Sequence, residues 1–191
     1  MNNVEHVDWA YGLAKELLET TLPRRWAHTQ GVAERAASLT PLLREEADTL
    51  IAAALLHDIG YAPDLVDTGM HQLDGARYLR DVAGADGRLC RLVAYHSCAD
   101  NEARQRDLFD VLAKEFDQEA PDLARALTYC DMTTGPDGQH VDVTDRLAEI
   151  HSRYGPEHVV SRSITDATPC IVSSVRSVEA ALSDVRQADA G

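Results

Sequence analysis

The residues with the clearest chemical potential are a histidine and an aspartate, His57 and Asp58, which directly follow the longest apolar run. That run, residues 50–56, is rich in helix formers, and Gly60 and Pro63 follow as a helix C-cap and a helix stop. An imidazole and a carboxylate at a buried helix end are costly unless paired, and the helix carbonyls there favour a cation. Together they are ligands for zinc, iron or manganese. A hydrogen-bonded His-Asp pair in a core is the alternative that this dipeptide leaves open.

Four further residues of these two types fall on buried helix ends or apolar stripes. His28 lies on the apolar stripe of its predicted helix, His71 opens a helix, and His96 and Asp131 each lie in the last turn of one. A lone core histidine is usually structural. Four imidazoles and two carboxylates on separate helices of one small bundle indicate instead a shared site.

Helical periodicity predicts the elements that must position these residues. Pro23 suits the first turn of the helix that carries His28, and Gly75 in the helix after His71 suggests close packing against a neighbour. Later helices are predicted over 102–118, 122–132 and 143–154. A last helix, 168–185, is predicted to begin at the cap-and-proline pair Thr168-Pro169. The predicted fold is a single-domain, all-α bundle over residues 1–191.

Composition limits the classes of function. With 191 residues, 45% of them hydrophobic, the chain can form one domain with a sizeable core. The net charge of −14 argues against a nucleic-acid partner, and no apolar run is long enough for a membrane span. Without a signal-peptide pattern, a cytoplasmic protein is expected. The four cysteines are then expected to be reduced core thiols, namely Cys90, Cys98, Cys130 and Cys170.

The ordered set His28, His57-Asp58 and Asp131 resembles the signature of the HD-domain superfamily of metal-dependent phosphohydrolases. The resemblance covers about residues 24–134, which would form an HD core with the helices 143–154 and 168–185 packed on it. His71 and His96 are similar to the two additional histidines of the branch that holds two metal ions, some of whose members hydrolyse dinucleoside tetraphosphates. The resemblance thus implies an HD-type bundle with one or two divalent ions, with Fe, Mn, Zn, Co and Mg all open.

The resemblance also implies ligand roles. The first ion would be held by His28, His57, Asp58 and Asp131, and the second by His71 and His96 with Asp58 bridging. A hydroxide activated by the metals would attack phosphorus, so no protein nucleophile is needed. Asp58 and His96 are the candidate catalytic residues, and either His96 or a metal-bound water would be the proton donor for the leaving group. The implied substrate is a small phosphorylated metabolite, with a nucleotide as the favoured class.

Candidate substrate-binding residues are Arg25, Tyr61, Arg77 and Arg80, because guanidinium groups can bind phosphate bidentately. Solvated arginines on a helix face are the alternative. Tyr61 stands where the nucleoside monophosphatases of the superfamily carry glutamate and where its cyclic-dinucleotide phosphodiesterases carry lysine, so neither of those branches is favoured.

Two functions of other classes remain open from the sequence. Some relatives in the superfamily use the same six ligands for a di-iron centre that activates oxygen. A non-enzymatic, metal-binding regulatory module is the third possibility. The oligomeric state is open as well.

Overall fold

The structure of the chain is a computed structural model that describes residues 3–189. Over this range the regular structure is helical, without a β-strand, which confirms the predicted all-α fold. The α-helices, numbered α1 to α11 in chain order, are Asn3–Leu18, Pro23–Ala37, Thr40–Leu43, Ala47–Leu56, His71–Asp81, Gly87–Tyr95, Asp100–Gln105, Phe109–Glu115, Pro121–Met132, Val143–Tyr154 and Val159–Asp189.

Helix α4 lies at the centre of the bundle. Leu50 and residues 52–56 are all buried, because a helix that is apolar on every side must be surrounded by neighbours. Helices α1, α2, α6 and α9 pack around it. The helix ends at Leu56, so the core of the bundle fixes the position of His57 and Asp58 in the turn that follows.

Gly60 does not cap α4 as predicted. The helix ends before it, and the chain continues into a 3₁₀ turn over Ile59–Tyr61. The missing side chain serves close packing instead, since a Cβ at Gly60 would lie 1.9 Å from the carbonyl oxygen of His71. Gly75 faces this turn from α5, where a Cβ would lie 3.1 Å from the Gly60 nitrogen, which confirms its predicted packing role. Helix α5 is therefore held tightly against the turn that follows Asp58.

The predicted helix over 102–118 is wrong, because two shorter helices, α7 and α8, replace it. Between them Asp107 adopts a left-handed conformation with φ 58°. The amide of Leu108 donates to the carbonyl of Ala103 at 2.8 Å, a Schellman-type closure. Aspartate tolerates this conformation better than most residues, and apolar spacing alone does not detect such a break.

Helix α11 is continuous over 31 residues, so the predicted start at Thr168-Pro169 is wrong. His158 caps the helix by accepting a hydrogen bond at Nδ1 from the amide two residues later. The Thr168 hydroxyl donates a hydrogen bond to the carbonyl oxygen of Ile164 at 2.7 Å, so it does not cap a new helix. Packing against α7, α9 and α10 keeps the helix continuous past the proline. Neither α11 nor any other helix of residues 3–189 combines the length and apolarity that a membrane span requires.

The expectation of four reduced thiols is wrong for two cysteines. Cys98, in the turn after α6, forms a disulfide with Cys170 in the middle of α11. Their separation of 72 residues carries no spacing signal, and only the packing of α11 on this turn brings them together. Cys90 and Cys130 are buried free thiols, as expected.

Replacing Cys170 with serine should lower the free energy of unfolding of the oxidised protein by about 2–4 kcal/mol, because the cross-link restricts a long loop of the unfolded chain. Urea unfolding of the two proteins measures the difference. A dithiol reductant should lower the stability of the wild type by a similar amount and leave the Cys170→Ser protein unchanged. Equal stability of the oxidised wild type and the variant would show that the disulfide is not stabilising.

Candidate metal centre

The six residues predicted as ligands meet at the middle of the bundle, and each is 9% exposed or less. Their burial requires compensation, because ionisable groups are costly to desolvate without partners. They come from α2 (His28), the turn after α4 (His57 and Asp58), the start of α5 (His71), the turn after α6 (His96) and the last turns of α9 (Asp131).

The first ligand group consists of His28, His57 and Asp131, whose ligand atoms all lie within 4.8 Å of one another. His28 Nε2 lies 3.0 Å from Asp131 Oδ1. Helix α2 supplies His28, the turn after α4 supplies His57, and α9 supplies Asp131. These three helices pack on one another in the core. The group is therefore fixed by the packing of the central helices.

The second ligand group consists of Asp58, His71 and His96, which satisfy the same distance limit. His71 Nε2 lies 3.1 Å from His96 Nε2 and 3.3 Å from Asp58 Oδ1. The other oxygen of Asp58, Oδ2, lies 3.4 Å from His57 Nε2. The Asp58 carboxylate therefore faces both groups, an arrangement compatible with the bridging role that the family resemblance implies.

Backbone hydrogen bonds determine which imidazole nitrogen faces the centre. In three histidines, Nδ1 lies 2.7–3.0 Å from a carbonyl oxygen: His28 with Gly135, His57 with Ala54 and His96 with Val93. A carbonyl only accepts, so Nδ1 carries the proton and Nε2 of the neutral ring presents its lone pair. Nε2 of His57 is buried without any hydrogen-bond partner. Converging lone pairs and carboxylate oxygens are the donor set that divalent metal ions require, so the residues fit such ions.

Burial and neighbouring charge set the protonation of the ligands. Burial by itself would raise the pKa of Asp58, but the Arg25 guanidinium and the nearby histidines hold that pKa well below its ordinary value. Burial lowers the pKa of His57 and, with help from its histidine neighbours, lowers the pKa of His96 to about 3. Both imidazoles are thus neutral at pH 7, the form that binds metals. With its only proton donated to Val93, His96 suits a ligand better than the predicted proton donor.

A cavity opens over the second ligand group. We call it the central cavity; its lining includes Asp58, His71, His96, Asp131, Arg25, Tyr61 and Arg146. Arg25 donates to Asp58 Oδ2, and its guanidinium lies 3.5 Å over the ring of Tyr61. Tyr61 in turn stacks on His71 with 4.0 Å between ring centroids. Of the predicted substrate-binding residues, Arg25 and Tyr61 therefore lie at the site.

Arg77 and Arg80 do not lie at the site, which corrects their predicted role in binding substrate. Both pair with Glu115 of α8, at 2.6 and 3.0 Å, and neither lines the central cavity. Because an α-helix turns by about 100° per residue, Arg80 lies on the face of α5 opposite His71. Helix geometry could therefore have excluded Arg80 from the sequence alone.

Replacing Arg80 with glutamine should leave kcat and KM for any phosphorylated substrate within about twofold of the wild type, because exposed ion pairs contribute little. Its side chain is 38% exposed, forms ion pairs with Asp81 and Glu115, and lies over the ring of Phe116. Steady-state phosphate release measures both constants. A tenfold rise in KM would contradict this placement and return Arg80 to the binding site.

The turn after α6 is backbone-strained and holds the site together. Ser97 and Cys98 both adopt left-handed conformations, with φ 52° and 59°, which are costly for residues other than glycine. Ser97 Oγ donates to Asp131 Oδ2, and Cys98 is tied to α11 by the disulfide. These anchors fix His96 at the start of the turn. The sequence offered no signal for Ser97, because its partner lies on a distant helix.

Arg146 is a site residue that the sequence analysis missed. It lies on α10 and is 6% exposed, with Nη2 3.8 Å from Asp131 Oδ1. Its Nη1 donates to Glu149 Oε2 at 2.6 Å, while its Nε is buried without a partner. The sequence did contain a signal for this residue. Arg146 lies one turn before the buried Ile150, so a charged residue interrupts the inner, apolar face of α10.

Comparison with known proteins gives one finding on the family. A family model described as HD domain matches residues 25–134, more than half of the 191 residues. The matched segment contains all six predicted ligands, whereas α10 and α11 lie outside it. No curated protein and no solved structure matches the chain.

Proposed function

Because the chain belongs to the HD-domain family, we propose that it is a metal-dependent phosphohydrolase acting on a small phosphorylated metabolite, with a nucleotide as the favoured class. The observation that carries the proposal is the convergence of six buried ligand residues into two adjoining groups. A buried set of this size is costly without cations, which makes a purely structural role for it less favourable.

In this proposal each ligand group holds one ion. We assign the first ligand group to one divalent cation and the second to another, with Asp58 facing both. The cations would supply positive charge to the phosphoryl oxygens and lower the pKa of water. The chain contributes neutral imidazoles with fixed tautomers, which keep Nε2 available, and a carboxylate, Asp58, that stays ionised.

Arg25 and Tyr61 are proposed to orient the substrate. Arg25 is 19% exposed at its side chain and lies against Asp58, so a phosphoryl group at the centre would come within its reach. A guanidinium binds two phosphoryl oxygens at once, which sets the orientation of phosphorus. Tyr61 lies between Arg25 and His71, and its stacking fixes the orientation of the Arg25 guanidinium and the His71 imidazole.

One observation favours a second candidate function. Each ligand group contains two histidines and one carboxylate, the set that non-haem iron oxygenases use. A di-iron oxygenase would require O₂, whereas hydrolysis requires only water. Oxygen dependence therefore separates the two functions.

The test is release of inorganic phosphate from a panel of nucleotides and other phosphorylated metabolites, in air and under nitrogen. The proposal predicts release that is equal in both atmospheres and is lost after treatment with a chelator. Turnover that depends on O₂ would favour the oxygenase. Metal binding without turnover of any compound would favour a regulatory module.

A further inference from the structure

A second cavity adjoins the metal centre, and we call it the arginine cavity. Among the described residues that line it, none is acidic, although the chain carries a net charge of −14. Its polar lining is Thr21, Arg24, Arg25, Arg146, Arg153 and His28 of the first ligand group. A concentration of four guanidinium groups in an acidic protein indicates an anion as ligand.

Two helices supply these arginines. Arg24 and Arg25 lie in the first turn of α2, four and three residues before His28, respectively. Arg146 and Arg153 are seven residues apart on α10, so they lie on one face two turns apart. Helix α10 lies beyond the residues that match the HD family model, so Arg146 and Arg153 are outside the matched segment.

The carboxylates that pair with these arginines leave room for an anion. Arg24 pairs with Asp137, and both side chains are more than 60% exposed, so this pair is weak and easily exchanged. Arg146 and Arg153 share Glu149 as a partner, and Arg146 Nη2 also lies 3.8 Å from Asp131 Oδ1. Neither Asp137 nor Glu149 lines the cavity. The deepest arginine, Arg146, keeps a buried Nε without any partner, which a bound anion could satisfy.

The arginine cavity lies next to the central cavity, because Arg25, Arg146 and Arg153 line both. Building on the proposed function, we propose that the arginine cavity binds a second phosphoryl group of the substrate, next to the one at the metal centre. The substrate class is then a phosphoanhydride, such as a nucleoside diphosphate or a longer polyphosphate ester. A simple phosphate monoester would leave the arginines unused.

The chemistry of the leaving group agrees with this substrate class. Water forms a bond to the phosphorus at the metal centre, and the bond from that phosphorus to the bridging oxygen breaks. The bridging oxygen leaves with the electron pair as part of the second phosphoryl group, and the proton of water passes to solvent. A phosphate with a pKa of about 6 departs without protonation. The leaving group of this substrate class therefore needs no general acid.

Binding of two matched, non-hydrolysable probes tests the proposal: methylphosphonate and methylenediphosphonate, titrated by calorimetry into the metal-loaded protein. The wild type should bind the diphosphonate about tenfold more tightly or better, because charged hydrogen bonds are strong. The double variant Arg24→Gln/Arg153→Gln should lose this preference while still binding methylphosphonate. Arg104→Gln is the matched control, because this arginine stacks on Phe109 away from both cavities.

The outcomes separate the two proposals. Equal affinity of the wild type for both probes, or a preference that survives in the double variant, would overturn the second phosphoryl site and leave the hydrolase proposal standing. Failure of the metal-loaded protein to bind either probe would overturn the hydrolase proposal, and the arginine cavity with it. Thermal unfolding of each variant and metal analysis after titration show whether the fold and the ions are retained.

Discussion

Replacing Asp58 with asparagine is expected to reduce phosphate release by about a thousandfold or more, the largest effect on activity that any single substitution here should have. The Asp58 carboxylate faces both groups, with Oδ1 3.3 Å from His71 Nε2 and Oδ2 3.4 Å from His57 Nε2. Asparagine keeps the volume but loses the negative charge and one oxygen acceptor. Both cations should therefore bind more weakly, and at least one should be lost.

Steady-state phosphate release and elemental analysis of the same preparation measure these two effects. Asp64→Asn is the matched control, because it makes the same change six residues later at an exposed position. It should leave the rate and metal content unchanged. An Asp58→Asn protein with the rate and metal content of the wild type would remove Asp58 from the site.

The largest effect on stability is expected from Gly60→Ala, with a loss of about 3 kcal/mol or more in the free energy of unfolding. A Cβ at this position would lie 1.9 Å from the His71 carbonyl oxygen and 2.7 Å from the Gly75 nitrogen. Both are backbone atoms of α5, so no side-chain rotation can relieve the contact. Helix α5 must move away, and it takes His71 out of the second ligand group.

Gly12→Ala provides the matched control for this prediction. Gly12 lies within α1, where a Cβ would meet nothing within 4 Å. Alanine should there raise the free energy of unfolding by about 0.5–1 kcal/mol through better helix propensity. Urea unfolding measures both variants. If Gly60→Ala were as stable as the wild type, the close approach of α5 to the 59–61 turn would be wrong.

The sequence allowed the helices with strong apolar patterns to be predicted, together with the residues at their ends. His71 does begin α5, and the helix predicted over 143–154 has those bounds in the structure. Histidines and aspartates at the ends of buried helices stand out, because the surrounding residues are apolar. This contrast made the ligand set accessible, although the division into two groups of three emerged only from the geometry.

Features that depend on contacts between distant segments were not accessible. The disulfide joins cysteines 72 residues apart, and Ser97 meets Asp131 only because α6 and α9 pack together. The start of α11 was wrong for a related reason: Thr168-Pro169 has the local pattern of a helix start, but tertiary packing continues the helix through it. The arginine cavity likewise needs α2 and α10 side by side.

The measurement that tests the account most directly is the metal content of the untagged protein, purified without chelator and determined by elemental analysis. Two equivalents of divalent metal per chain are predicted for the wild type, and one for His71→Ala, in which only the second ligand group is damaged. A wild-type protein without metal, and unable to bind Mn²⁺, Fe²⁺ or Zn²⁺ when these are supplied, would contradict the metal centre and the hydrolase built on it.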